Sequence, residues 1–146
     1  MKSSNKDKKL DNFVNICKEH GLKLTPQRMA IYEEISGSNE HPSTEIIYKK
    51  IIDKYPNISF DTVNRTLLTF VEIGILEIVE GYGNSRRFDP NLNNHHHIHC
   101  IKCGSILDFE DRDYDNLELP SLVSSKFKVL SKKVIINGIC MKCQKK

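Results

Sequence analysis

Apolar residues recur at three- and four-residue spacing through the first half of this 146-residue chain, then give way to shorter, strand-like runs. From Leu10 the positions Phe13, Val14 and Cys17 form one stripe, which predicts a short amphipathic helix ended by Gly21, behind a polar, lysine-rich tail over 1–9. Cys17 falls on that stripe and reads as a small core residue. Thr25-Pro26 supplies a capping hydroxyl and a proline at the first helical position, so a second helix should run to about Ser36 with Ile31 and Ile35 inward. Ser43 should cap a third helix through Lys54, with Ile47 and Ile51 on one face. Ser59 opens a fourth, ending at Gly74, whose stripe is Val63, Leu67 and Phe70.

Two strand-like pieces follow, ILEIVE and SRRFD, joined by the glycine-bearing turn GYGN. Three short helices, a fourth with polar residues near its start, then a hairpin: this order resembles a winged helix-turn-helix. In such folds the last helix enters the major groove and the wing touches phosphates. The residues available for that work are Thr62, Asn64 and Arg65 on the fourth helix, Arg28 on the second, and Arg86 and Arg87 on the wing. A helical bundle with an ordinary hairpin is the alternative reading of this half.

Chemistry concentrates between Arg86 and Asp108, where two carboxylates, four histidines and a Cys-x-x-Cys pair share one short segment. Cys100/Cys103 and Cys140/Cys143 form two such pairs, and two turns of this kind complete a tetrahedral all-sulfur site suited to zinc. The 36 intervening residues (104–139) exceed finger spacing, so the two pairs should sit at the ends of different strands and clamp a small sheet. Four ligands leave no open position, so such a zinc is structural; a redox dithiol is the alternative. On a strand, His95, His97 and His99 point to one face and His96 to the other. With Asp89 upstream and Asp108 on the next strand, these imidazoles suggest a second site, of nitrogen and oxygen donors, for a harder divalent metal. The acidic stretch 108–118 leads on through LPSLVSS, where a short helix is expected with its start limited by Pro120, and KFKVLSKKVIING should return as a strand. So small a sheet stands poorly alone, which points to dimerisation through it.

Charge and composition add little. Residues 1–90 hold 13 Lys+Arg and 13 Asp+Glu, so the net +3 does not mark a nucleic-acid surface and any basic patch must be local. No apolar run approaches the roughly 20 residues that span a bilayer, and the N-terminus lacks the apolar core of a secretory signal, so a cytoplasmic protein with reduced cysteines is expected.

Several stretches together resemble the ferric uptake regulator family of bacterial metal-dependent repressors, and within it the peroxide-sensing branch. They are GLKLTPQR, EHPSTEIIYKKI, the PNIS…TV…TL helix, SRRFD, HHHIHCIKCG and the closing CMKC, spread over about residues 10–145. The resemblance implies an α+β chain: a winged-helix DNA-binding domain over 1–87, a hinge over 88–94, and a small α/β dimerisation domain over 95–146 with the four-cysteine zinc. It also implies a regulatory Fe2+ or Mn2+ held by His41, Asp89, His95, His97 and Asp108, with His41 and His95 at the positions oxidised when iron meets peroxide. Aspartate at 108 matches the peroxide-sensing branch, where iron-sensing members carry glutamate. At the positions where those members build an additional site, this chain has Asn94 and His96. Asn64 replaces the family's tyrosine, and asparagine can pair with adenine through two bonds; His99 is also unusual for the family.

The expectation is therefore a homodimeric repressor of a palindromic duplex operator, in which the bound ion selects the DNA-competent form. Iron- or zinc-uptake regulation is the nearest alternative. A metalloenzyme lacks a general base or nucleophile beside the cluster, and HExxH is absent; a zinc-held interaction module would need no second metal.

Overall fold

The computed structural model describes residues 5–38, 40–79 and 86–145. They form two compact units, one ending at Leu92 and the other starting at Asn93.

In the first unit, α1 (Asn5–Glu19) starts within the stretch expected to be a tail. Lysine is a good helix former, and once Phe13 and Cys17 are packed, each added turn costs little. The Tyr32 hydroxyl donates to the Lys9 carbonyl at 3.1 Å and ties this extra turn down. Helices α2 (Pro26–Ser36), α3 (Thr44–Ile51) and α4 (Phe60–Glu72) each start at a hydroxyl cap. Thr25, Ser43 and Ser59 accept from the backbone N–H three residues on, at 3.2, 3.4 and 3.0 Å. Helix α3 stops three residues short of Lys54, because Ile52–Lys54 turn toward the capped start of α4. Phe13 stacks on Tyr32 at 3.8 Å and meets Phe70 edge-on at 5.3 Å, and Cys17, Ile31, Ile35, Ile47, Val63, Leu67 and Phe88 close the core around them. Burial raises the Cys17 thiol above its usual range, as befits a core residue.

Strands β1 (Glu77–Val79) and β2 (Arg87–Asp89) pair antiparallel, with Ile78 opposite Phe88. They are shorter than the apolar runs suggest, because Ile75 and Leu76 turn into the helical core instead. The GYGN turn lies outside the described residues. Phe88 and Asp89, expected in the hinge, are strand residues of this unit.

The second unit is a three-stranded sheet in the order β4-β3-β5, from β3 (His96–Cys100), β4 (Ile106–Phe109) and β5 (Ile135–Gly138). β3 and β4 are antiparallel, and β3 and β5 run parallel. The acidic stretch gives α5 (Arg112–Asp115), whose cap Asp111 accepts from two backbone N–H groups, and α6 (Ser121–Lys126) begins after Pro120. α7 (Met141–Gln144) closes the chain. The KFKVLSKKVIING run pairs only over its last residues. Leu107, Leu122, Phe127 and Leu130 are exposed, up to 86% for Leu130. No described helix is long and apolar enough to cross a membrane.

Candidate metal centres

Parallel pairing of β3 and β5 places their C-terminal ends side by side, Cys100 opposite Gly138. Each end carries one Cys-x-x-Cys turn, so topology delivers the four sulfurs of Cys100, Cys103, Cys140 and Cys143 to one point, all within 4.8 Å of one another. Cys103 and Cys140 sulfurs are 3.8 Å apart. That equals the edge of a tetrahedron with Zn–S bonds of about 2.3 Å, roughly 3.8 Å. The Cys140 N–H points at the Cys100 sulfur from 3.3 Å. Backbone N–H groups of Cys103 and Cys140 lower the Cys100 thiol to about 6. The Ser105 hydroxyl, 3.1 Å from the Cys103 sulfur, lowers that thiol too. Cys143 goes the other way, pushed up to about 12 first by the neighbouring Cys140 sulfur and then by burial. Four thiolates this close repel one another, and a dication of zinc's softness removes the repulsion. The donor set suits structural zinc.

Each unit also carries its own group of nitrogen and oxygen donors. In the first unit, His41 precedes Pro42 in the α2–α3 loop and adopts φ 53°, a left-handed conformation rare outside glycine. The Arg87 guanidinium holds that loop by donating to the carbonyls of Glu40 and His41. Phe88 N–H donates to the Pro42 carbonyl at 3.0 Å, so β2 clamps the loop along its length. The result sets His41 Nε2 at 3.4 Å from Asp89 Oδ2, both residues buried. Asn91 N–H donates to the other Asp89 oxygen at 2.9 Å.

In the second unit, His97 stands opposite Asp108 in the β3–β4 register, Nε2 to Oδ1 3.0 Å. His95, just before β3, donates from Nδ1 to the Asn93 carbonyl, which leaves Nε2 as its acceptor nitrogen. That atom lies 3.0 Å from His97 Nε2 and 3.8 Å from Asp108 Oδ1. Two imidazole nitrogens so close suit adjacent ligands of one ion, since bonds of about 2.1 Å at right angles put donors about 3.0 Å apart. Nitrogen and carboxylate donors suit Fe2+ or Mn2+ better than the thiolates do.

The remaining histidines separate by face. His96 is fully buried on the opposite side of β3 from His97, against Phe109 and Tyr114. Its Nδ1 accepts from Val134 N–H at 3.0 Å, so Nε2 carries the proton and donates to Asp115 Oδ1 at 2.7 Å. Asn94 Nδ2 donates to the same oxygen at 2.9 Å. His96 thus fastens β5 and α5 to β3, a role no local pattern announces. His99 is buried with its ring 6.0 Å from that of His97.

The six residues expected at DNA are not equivalent. Thr62, Arg65 and Arg86 are exposed, and Arg65 pairs with Asp61 at 3.0 Å along α4. Arg28 donates to the Lys23 carbonyl. Arg87 serves the His41 loop, as described. Asn64 is half-buried and accepts from the Thr44 hydroxyl at 2.8 Å.

Comparison with known proteins places this arrangement. The chain is 36% identical over 138 residues to the peroxide-responsive repressor PerR of Staphylococcus epidermidis, covering 94% of this chain and 92% of that protein. It is 34% identical over 137 residues to PerR of Staphylococcus aureus, covering 94% and 93%. Among solved structures, the Helicobacter pylori ferric uptake regulator Fur, described as having three functional metal-binding sites, superposes with a TM-score of 0.80 at 27% identity, covering 99% of this chain and 97% of that one. PerR from Streptococcus pyogenes, solved as a basis for peroxide sensing and gene regulation, gives a TM-score of 0.53 at 30% identity, covering 91% of each. The ferric uptake regulator family model matches residues 19–137, and with the four-cysteine cluster and the histidine–aspartate donors in place, the chain belongs to the ferric uptake regulator family.

Proposed function

We propose that this chain is a metal-dependent, DNA-binding transcriptional repressor of the peroxide-responsive kind, acting in the cytoplasm as a homodimer. The observation that carries the proposal is the pair of preassembled half-sites: His41 with Asp89 on the first unit, and His95, His97 and Asp108 on the second. One Fe2+ or Mn2+ shared by the five would join the unit that reads DNA to the unit that pairs with a second copy. In this reading the ion compensates the carboxylates of Asp89 and Asp108, and without it nothing ties the two half-sites together. With one, the two reading heads of the dimer are held at a fixed spacing, suited to half-sites of a palindrome about 34–36 Å apart. Moving such an equilibrium nearly to completion takes on the order of 5 kcal/mol of differential binding, within reach of a five-donor site.

The recognition element in this reading is α4, whose Thr62, Asn64 and Arg65 face outward or half outward, with Arg28 and Arg86 beside the phosphates. The exposed Leu107, Leu122, Phe127 and Leu130 on the small sheet and its helices supply the surface for the second copy. Bound iron would activate the peroxide; the imidazole of His41 or His95 would be the group oxidised, gaining one oxygen atom on a ring carbon while the other oxygen of the peroxide leaves as water. An imidazole so altered loses the donor strength that held the closed form, and the repressor leaves its operator.

The experiment is direct. Fe2+-loaded protein bound to its operator is treated with hydrogen peroxide, and release is followed alongside peptide mass spectrometry. Release with one added oxygen atom on His41 or His95 supports the proposal, and the Mn2+ form should stay bound. Unmodified histidines after release, or DNA binding indifferent to both metals, would refute it.

A further inference from the structure

We propose that Thr44 makes Asn64 a donor-only reader of the operator, selecting a guanine edge where a free asparagine would select adenine. This rests on α4 being the element that enters the major groove. Thr44 opens α3 and is buried, while Asn64 lies on α4, one residue past the buried Val63 and half exposed. The Thr44 hydroxyl donates to Asn64 Oδ1 at 2.8 Å, and among the described residues it has no other acceptor. Turning the carboxamide around would offer that hydroxyl an amide nitrogen, which cannot accept, and would strand a buried proton. The bond therefore fixes which end of Asn64 faces inward. The carbonyl oxygen is held at the α3–α4 junction, and the amide nitrogen makes no hydrogen bond among the described residues. It has two N–H groups to offer to a ligand.

Adenine is read by asparagine through a donor to N7 and an acceptor for the N6 amino group, side by side on one edge of the carboxamide. The Thr44 hydroxyl takes one of the two lone pairs of the Asn64 carbonyl oxygen and holds it at the α3–α4 junction, so the carboxamide turns its amide nitrogen, not its donor–acceptor edge, toward a ligand. Two N–H groups instead match the adjacent N7 and O6 acceptors of guanine, tolerate thymine O4, and meet an unfavourable donor on the cytosine amino group. The specificity is set by a residue that need not touch DNA at all.

The test is selection from a duplex library with randomised half-sites, using full-length, zinc-containing, Mn2+-loaded protein. Wild type should enrich guanine by roughly tenfold at one position per half-site, the scale of a single good base contact. Asn64→Ala should flatten that position alone. Thr44→Val, which keeps the shape and deletes the hydroxyl, should move it toward adenine, and Thr44→Ser should leave it as in wild type. Adenine at the Asn64-dependent position of the wild-type selection overturns the proposal, as does a library unchanged by Asn64→Ala. If Thr44→Val does not fold, the wild-type and Asn64→Ala libraries still decide. A wild type that enriches no sequence in the presence of metal would instead refute the DNA-binding reading itself, an outcome distinct from enrichment insensitive to Asn64.

Discussion

Arg87 offers the sharpest test of how the first half-site is built, because its sequence position suggests one job and its contacts another. On a wing, an arginine beside Arg86 should touch phosphates; in the structure its guanidinium donates to the carbonyls of Glu40 and His41. Charge-assisted bonds of this type contribute about 1.5–3 kcal/mol each when well buried. Arg87 is only partly buried, so about 2–3 kcal/mol for the two together is a fair allowance. They act against the left-handed backbone at His41, which costs roughly 1–2 kcal/mol for a residue with a side chain. In Arg87→Ala the loop is released to ordinary conformations, and a metal must reorder it on binding. A cost of about 2 kcal/mol corresponds to roughly a 30-fold loss of affinity for Mn2+. Lysine keeps the charge but not the two-pronged geometry, so Arg87→Lys should fall between the two. Isothermal titration of Mn2+ into zinc-containing protein without DNA measures this directly. An unchanged Mn2+ affinity in Arg87→Ala, with weakened DNA binding at saturating metal, would show that Arg87 works on phosphate and that the loop stands without it.

His41→Ala should keep zinc and the dimer but lose Mn2+-dependent operator binding, read by gel filtration, zinc content and electrophoretic mobility shift; tight metal-independent binding would contradict the proposed switch. Cys100→Ser should release zinc and unfold or monomerise the protein, measured by sedimentation and circular dichroism, and a stable zinc-free dimer would oppose a structural role. Zinc affinity should depend on pH with a definite sign. Near neutral pH, Cys143, at about 12, still holds a proton that zinc must displace, so apparent affinity falls at least tenfold per unit as pH drops from 8 to 6. Below about 6 the Cys100 thiol is protonated as well and the slope steepens, so zinc-dependent stability is present at neutral pH and lost on acidification. A competition titration with a chelator of known pH dependence would expose a flat profile, which would refute the thiol assignments.

The helices of the first unit were legible because their signals are local. A hydroxyl cap, a proline and a three-four stripe lie within a dozen residues of one another, and Thr25, Ser43 and Ser59 cap as read. The four cysteines were legible because a Cys-x-x-Cys turn has few uses in a reducing compartment. What brings the turns together was not legible. β3 and β5 pair in parallel across 34 intervening residues, from 101 to 134, and parallel partners leave no turn signature between them. Arg87 and Thr44 escaped for the same reason: each acts on a residue at least 20 positions away, through a carbonyl or carboxamide that periodicity does not mark.

The histidine run shows where reading by residue type fails and reading by face succeeds. Alternation on a strand separates His97 from His96, but it cannot say what each face meets. The β3–β4 register supplies the answer, putting Asp108 opposite His97 and Phe109 opposite His96. One face then gathers a carboxylate and a second imidazole, His95, into a set of donors suited to a metal. The other buries His96 between aromatic rings, with Val134 N–H and Asp115 fixing both of its nitrogens. A slip of one residue in β3 would exchange these surroundings, setting an imidazole of the pinned kind against Asp108 and turning the ligand toward Phe109 and Tyr114. Because His96 bonds at once to Val134, the residue leading into β5, and to Asp115 of α5, it opposes that slip from the face opposite His97. The histidine that binds no ion in this reading is the one that keeps its neighbours in register to do so.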